Sequence, residues 1–156
     1  MANLFARPRH WFSSDYRILE GEEEITTLQL RILRDRATFR VDEKEYKIDV
    51  EGFFLGRFEL KDGPMVLARA ERIKRKYEIR TGGHRITLEP KGWLAKSFDV
   101  RVPTGSIGSI HSLGWASLSA EADLPEDLAL PLRIFLVYLI LVAWRRKAAT
   151  AAAVGG

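Results

Sequence analysis

Residues 128–144 read LALPLRIFLVYLILVAW, and the fold turns on what covers them. Leu136, Val137, Leu139, Ile140, Leu141 and Val142 are apolar on every face of a helix rather than along one stripe. A helix of that kind must be enclosed by other protein or by lipid. Seventeen residues at about 1.5 Å each span roughly 25 Å, short of a hydrocarbon core of about 30 Å. Arg133 interrupts the stretch, and an arginine in mid-bilayer costs on the order of a few kcal/mol. Only residues 134–144 are free of charge and proline, the length of a buried core helix. The Arg145-Arg146-Lys147 triplet that follows also suits the cytoplasmic flank of a spanning helix. The stretch therefore predicts a helix over residues 128–147 that fills a protein core, with a tail anchor as the alternative. Asp123 or Asp127 is expected to cap its start, and the three basic residues suit its negative end. Pro131 fits only the first turn. Residues 148–156 are expected to form a flexible tail.

Upstream, residues 15–122 alternate apolar and polar side chains with turn residues every eight to twelve positions, an all-β pattern. Leu28, Leu30 and Ile32 alternate, then Ala37, Phe39 and Val41 after Arg34-Asp35-Arg36. Tyr46, Ile48 and Val50 follow the turn at Asp42-Glu43-Lys44. Beyond Gly52 come Phe54, Phe58 and Leu60, and Lys61-Asp62-Gly63-Pro64 is a strong turn. Residues 65–70 and 77–80 continue the series, and Thr81-Gly82-Gly83-His84 is a hairpin connection. Ile86 and Leu88, then Phe98, Val100 and Val102, then residues 107–110 and 115–120 complete eleven or twelve strands. An echo at an offset of 52 residues pairs Leu55-Gly56 with Ile107-Gly108 and suggests a half-repeat. Pro8 breaks residues 1–14, which are expected to be an irregular arm. Trp11 and Phe12 there, beside Arg7, Arg9 and His10, suit either packing on the fold or a membrane interface.

At 156 residues the chain is long enough for one domain with a sizeable core. A net charge of +4 leans mildly towards anionic partners. Without cysteine there are no disulfides or thiolate metal sites. The first 14 residues lack the apolar core of a secretory signal, so a cytoplasmic setting is the default expectation.

Twelve short antiparallel strands followed by one very apolar helix resemble the tubby C-terminal domain-like superfamily, which includes tubby proteins, phospholipid scramblases and LURP-one-related proteins. The likeness is carried by YKIDVEGFFLGRFEL (residues 46–60), FDVRVPTGSIGSI (98–110) and ADLPEDLALPLRIFLVYLILVAW (122–144). It spans residues 15–147 in the order of elements. It implies a closed twelve-stranded barrel around a central C-terminal helix, and recognition of phospholipid headgroups by basic residues. The sequence lacks the cysteine-rich palmitoylation run and the proline-rich arm of scramblases. The acidic residues between 121 and 127, interrupted by Leu124 and Pro125, read as a cap rather than a calcium loop. Scramblase-like lipid movement is therefore a secondary alternative.

No catalytic motif stands out. His10, His84 and His111 lack metal-ligand spacing, and neither HExxH nor GxSxG occurs. Gly105-Ser106-Ile107-Gly108 lacks the Lys-Ser/Thr of a phosphate loop, and Glu22-Glu23-Glu24 reads as a solvated turn. The expectation is a non-enzymatic domain without cofactor or metal. The functional candidate is the basic run Arg69, Arg72, Lys74, Arg75, Lys76 and Arg80. It is expected on the outer face of a strand and its preceding loop, where it would attract anionic lipid headgroups. Glu71 and Glu78 interrupt it, as they would on an ordinary solvated face. Nucleic acid is not expected, because no aromatic side chains are interleaved on the same strand face to stack bases.

Overall fold

The computed structural model describes residues 3–10, 14–31, 36–51, 56–114 and 119–155, with residues 31 and 149–155 as backbone only. The sequence positions Trp11, Phe12, Ile32, Arg34, Asp35, Gly52, Phe54, Leu55 and 115–118 lie outside the described residues.

Twelve strands precede one helix: β1 (Leu4–Pro8), β2 (Asp15–Glu20), β3 (Glu23–Arg31), β4 (Arg36–Val41), β5 (Lys44–Glu51), β6 (Arg57–Asp62), β7 (Met65–Ile73), β8 (Lys76–Thr81), β9 (His84–Lys91), β10 (Ser97–Val102), β11 (Gly105–Ser112), β12 (Ala120–Asp123) and α1 (Leu130–Gly155). Each strand pairs antiparallel with its neighbours in sequence. β1 then pairs with β12 through Leu4↔Ala122 and Ala6↔Ala120, so the sheet closes into a barrel. Closure removes the free edges that an open sheet would present.

The period-2 pattern has a direct physical outcome. Tyr16, Ile18, Leu28, Phe39, Ile48, Phe58, Leu60, Ile79, Leu88 and Val100 point inward, each 2% exposed or less. Helix residues 134–141 lie among them in one continuous core, none more than 3% exposed. Phe58 of β6 meets Tyr138 edge to face at 6.0 Å. The barrel interior thus covers the all-round apolar surface of α1. Among the described residues no helix is long and apolar enough to cross a membrane. Arg133 is 9% exposed and its Nε donates to the Leu128 carbonyl oxygen at 3.0 Å. Helical side chains lean towards the N-terminus, which lets this guanidinium reach back to the segment just before the helix.

Four expectations need correction. Residues 1–14 are not an irregular arm, because 4–8 form β1 and close the barrel. Pro8 is harmless there: β12 pairs with β1 only as far as Ala6↔Ala120, so Pro8 stands beyond that ladder. Residues 148–155 are helical rather than a flexible tail, so Arg145, Arg146 and Lys147 lie within α1 and its last turn holds no basic residue. The helix begins at Leu130, with the Arg133 N–H bonded to the Ala129 carbonyl. Asp127 is therefore too far back to be the capping residue, and the first turn has no acid. The echo between β5–β6 and β10–β11 does not put its glycines in like places, since Gly56 precedes β6 with a φ of 59° whereas Gly108 lies inside β11. Its two glycines do matter locally. A Cβ at Gly56 would stand 2.9 Å from the Arg72 Cβ, and one at Gly108 would collide with the Asp123 carbonyl oxygen.

The two ends of the barrel differ. Two-residue turns at 21–22, 42–43, 63–64, 82–83 and 103–104 join the strands at the end where α1 enters. Gly82 and Gly83 both adopt positive φ, as the twist of such a hairpin requires. At the other end, where α1 leaves, the β7–β8 turn and the 92–96 loop between β9 and β10 flank the helix.

Candidate functional site

The basic run divides between two environments. β7 is longer than the sequence pattern suggests, so Arg69 and Arg72 are strand residues and Lys74-Arg75 is the hairpin turn itself. On the outer wall Arg69 stands directly across from Arg80. Each is taken up by a neighbouring carboxylate: Arg69 by Glu59 at 3.6 Å, Arg80 by Glu78 at 3.7 Å, and Lys76 by Glu89 at 3.4 Å. Arg57–Glu71 and Arg85–Glu78 continue this cross-strand lattice. Exposed pairs of this kind contribute little stability, about 0–1 kcal/mol each, but they cancel the wall's local field.

The other three residues sit at the helix-exit mouth. Arg72 pairs with Tyr77, an inward-facing residue, so it projects from the rim rather than the wall. Its Nε donates to the Lys74 carbonyl oxygen, and Lys74 takes the left-handed φ of 60° that turns the hairpin. Arg75 Nη2 donates to the carbonyl oxygens of Gly92 and Trp93 at 3.1 and 2.8 Å, tying the hairpin to the 92–96 loop. Among the described residues no carboxylate lies within ion-pair distance of Arg72, Lys74 or Arg75.

The last buried turn of α1 completes the mouth. Trp144 Nε1 donates to the Ala95 carbonyl oxygen at 2.8 Å, and Lys147 Nζ to that of Leu94 at 2.6 Å. The Arg146 guanidinium lies 5.8 Å from the centre of the Phe58 ring, and Arg145 bonds the Tyr16 hydroxyl at 3.2 Å. Between the hairpin, the loop and the helix is a cleft of about 560 Å³ lined by Arg72, Arg75, Tyr77, Trp93, Ala95, Phe98, Ala143, Trp144, Arg146 and Lys147. Among the described residues the buried Tyr77 hydroxyl has no hydrogen-bond partner. Burial holds its pKa above the usual phenol value, opposed by Arg72 and Arg146. Among the described residues, four of the five exposed large apolar side chains also belong to this end: Ile73, Trp93, Leu94 and Leu113, with Trp93 79% exposed.

The sequence reading missed Trp93, Leu94 and the helix's basic triplet as parts of this site. The available signal was an isolated tryptophan after Pro90 and Gly92, too little without the topology that brings positions 72–75, 92–96 and 144–147 together.

Elsewhere, a groove on the outer wall holds Glu51, Glu59, Glu71 and Glu78 among Arg57, Arg69 and Arg80. A hydrogen bond between the Glu51 and Glu59 carboxyls, together with burial, raises the pKa of Glu59. Arg69 and Lys61 oppose the shift. His111 of β11 faces Glu121 of β12, with Nε2 to Oε2 at 2.9 Å. His84 opens β9 on the surface. Among the described residues no group of three or more His, Asp or Glu side chains is placed to hold a metal ion. No family model, no curated protein and no solved structure matches the chain.

Proposed function

We propose that the protein is a non-enzymatic domain of tubby-like architecture that docks on anionic phospholipid surfaces, as a peripheral protein of the cytoplasm, through the helix-exit mouth of its barrel. One observation carries this reading: among the described residues, four of the five exposed large apolar side chains gather at the end where no carboxylate lies within ion-pair distance of Arg72, Lys74 or Arg75. A membrane interface offers both matching environments. Indole and aliphatic side chains settle at the headgroup boundary, and basic residues near an acidic surface contribute about 1 kcal/mol each. The outer wall, with Arg69, Lys76 and Arg80 each facing a carboxylate, is the weaker half of the sequence-derived site.

Sedimentation with acidic and neutral vesicles tests the reading. The protein should pellet with acidic vesicles, and binding should fall with added salt, because exposed charges are screened beyond about 8 Å at physiological ionic strength. Replacing Arg72, Lys74 and Arg75 together by Gln should weaken binding about a hundredfold. The wall triple Arg69→Gln, Lys76→Gln, Arg80→Gln should change it little. Equal pelleting with both vesicle types, or a larger loss from the wall triple, contradicts the proposal.

A further inference from the structure

We infer that the mouth cleft is a discrete site for one anionic amphiphile: an acidic headgroup held by Arg72, Arg75 and Arg146, with its apolar body against Trp93 and Trp144. This goes further than surface docking, which needs only a charged and apolar patch and specifies no stoichiometry. Three features indicate a built site. The cleft, about 560 Å³, has the dimensions of a small-molecule pocket. Its walls combine guanidinium groups, which suit phosphate or carboxylate oxygens, with indole and alanine surface, which suits hydrocarbon. Tyr77 belongs to this lining, and among the described residues its buried hydroxyl has no hydrogen-bond partner, although buried polar groups are ordinarily paired. A ligand oxygen seated between Arg72 and Arg146 supplies the missing acceptor. The cleft's shape is fixed by protein contacts already in place: Arg75 to the Gly92 and Trp93 carbonyls, and Trp144 to that of Ala95. Little ordering is then left for binding to impose.

The inference rests on the docking reading for the ligand's source, a lipid headgroup. The chemistry it shares with a free anion is the phosphate group, so the test separates the two. Calorimetric titration of the full chain uses octyl phosphate below its micelle concentration, inorganic phosphate and octyl glucoside. Octyl phosphate should bind saturably at one per chain. Inorganic phosphate should bind at least about tenfold more weakly, and octyl glucoside should give no saturable signal. Tyr77→Phe removes only the hydroxyl and should loosen octyl phosphate about three- to tenfold with the thermal midpoint kept or raised. Arg72→Gln with Arg75→Gln should abolish saturation. Binding at several per chain, equal affinity for inorganic phosphate, or an unchanged affinity in Tyr77→Phe overturns the inference. Vesicle docking without saturable octyl phosphate binding removes the discrete site and leaves the docking reading standing. Saturable binding without vesicle docking removes the docking reading instead.

Discussion

Glu59 belongs to the outer wall, yet only 11% of its side chain is exposed, and it shares a hydrogen bond with Glu51. Two carboxyls can bond in this way only if one keeps a proton, which is why the pKa of Glu59 is raised. The folded chain therefore holds that proton to a higher pH than the unfolded chain. The stabilisation is complete below the ordinary glutamate value and is lost as pH rises through the raised one. Glu59→Gln keeps a donor facing Glu51 without a proton to lose. As pH rises above the ordinary glutamate value of about 4.3, the thermal midpoint of Glu59→Gln should gain steadily on that of the parent. A constant difference would show that the two carboxyls do not share a proton. At this scale the sequence was only half legible. Alternation places Arg69 and Arg80 on one face, but not the Glu59 and Glu78 that neutralise them from other positions in the ladder. It likewise cannot show that Arg72, by strand parity, turns to the rim.

Helix α1 was the most legible element, because apolarity on all faces admits few environments and Arg133 together with the short span disfavours a bilayer. Leu139 is fully buried against the barrel interior. Leu139→Asp would place an unpaired carboxylate there and should cost more than about 4 kcal/mol, a large share of a domain's stability. The expected result is loss of the cooperative melt in circular dichroism. A Leu139→Asp protein melting cooperatively near the parent temperature would mean that the helix does not fill the barrel. β1 was the least legible element. Only Leu4 and Ala6 point inward from it, and Pro8 reads as a breaker until the partner strand is known to stop at Ala120. The helix's extension through the alanine-rich residues 148–155 follows from high helix propensity, yet a reading centred on core burial has no reason to extend it beyond the barrel.

Over the whole molecule, strand alternation and a single enclosed helix were enough to anticipate a closed barrel. The polarity of its two ends was not, because it depends on which connections meet at which rim. Turn chemistry marks one end with Gly63-Pro64 and Gly82-Gly83. The opposite end gathers its cations and exposed apolar side chains from three separate segments. That asymmetry underlies the functional account, and hydrogen exchange on vesicles tests it directly. With acidic vesicles present, backbone amides of the β7–β8 turn and the 92–96 loop should gain protection. Amides of the 42–43 and 82–83 turns at the far end should exchange as they do in solution. Protection centred on the far-end turns or along the β7–β8 wall, or no change at the mouth while the protein is vesicle-bound, would contradict docking through the helix-exit end.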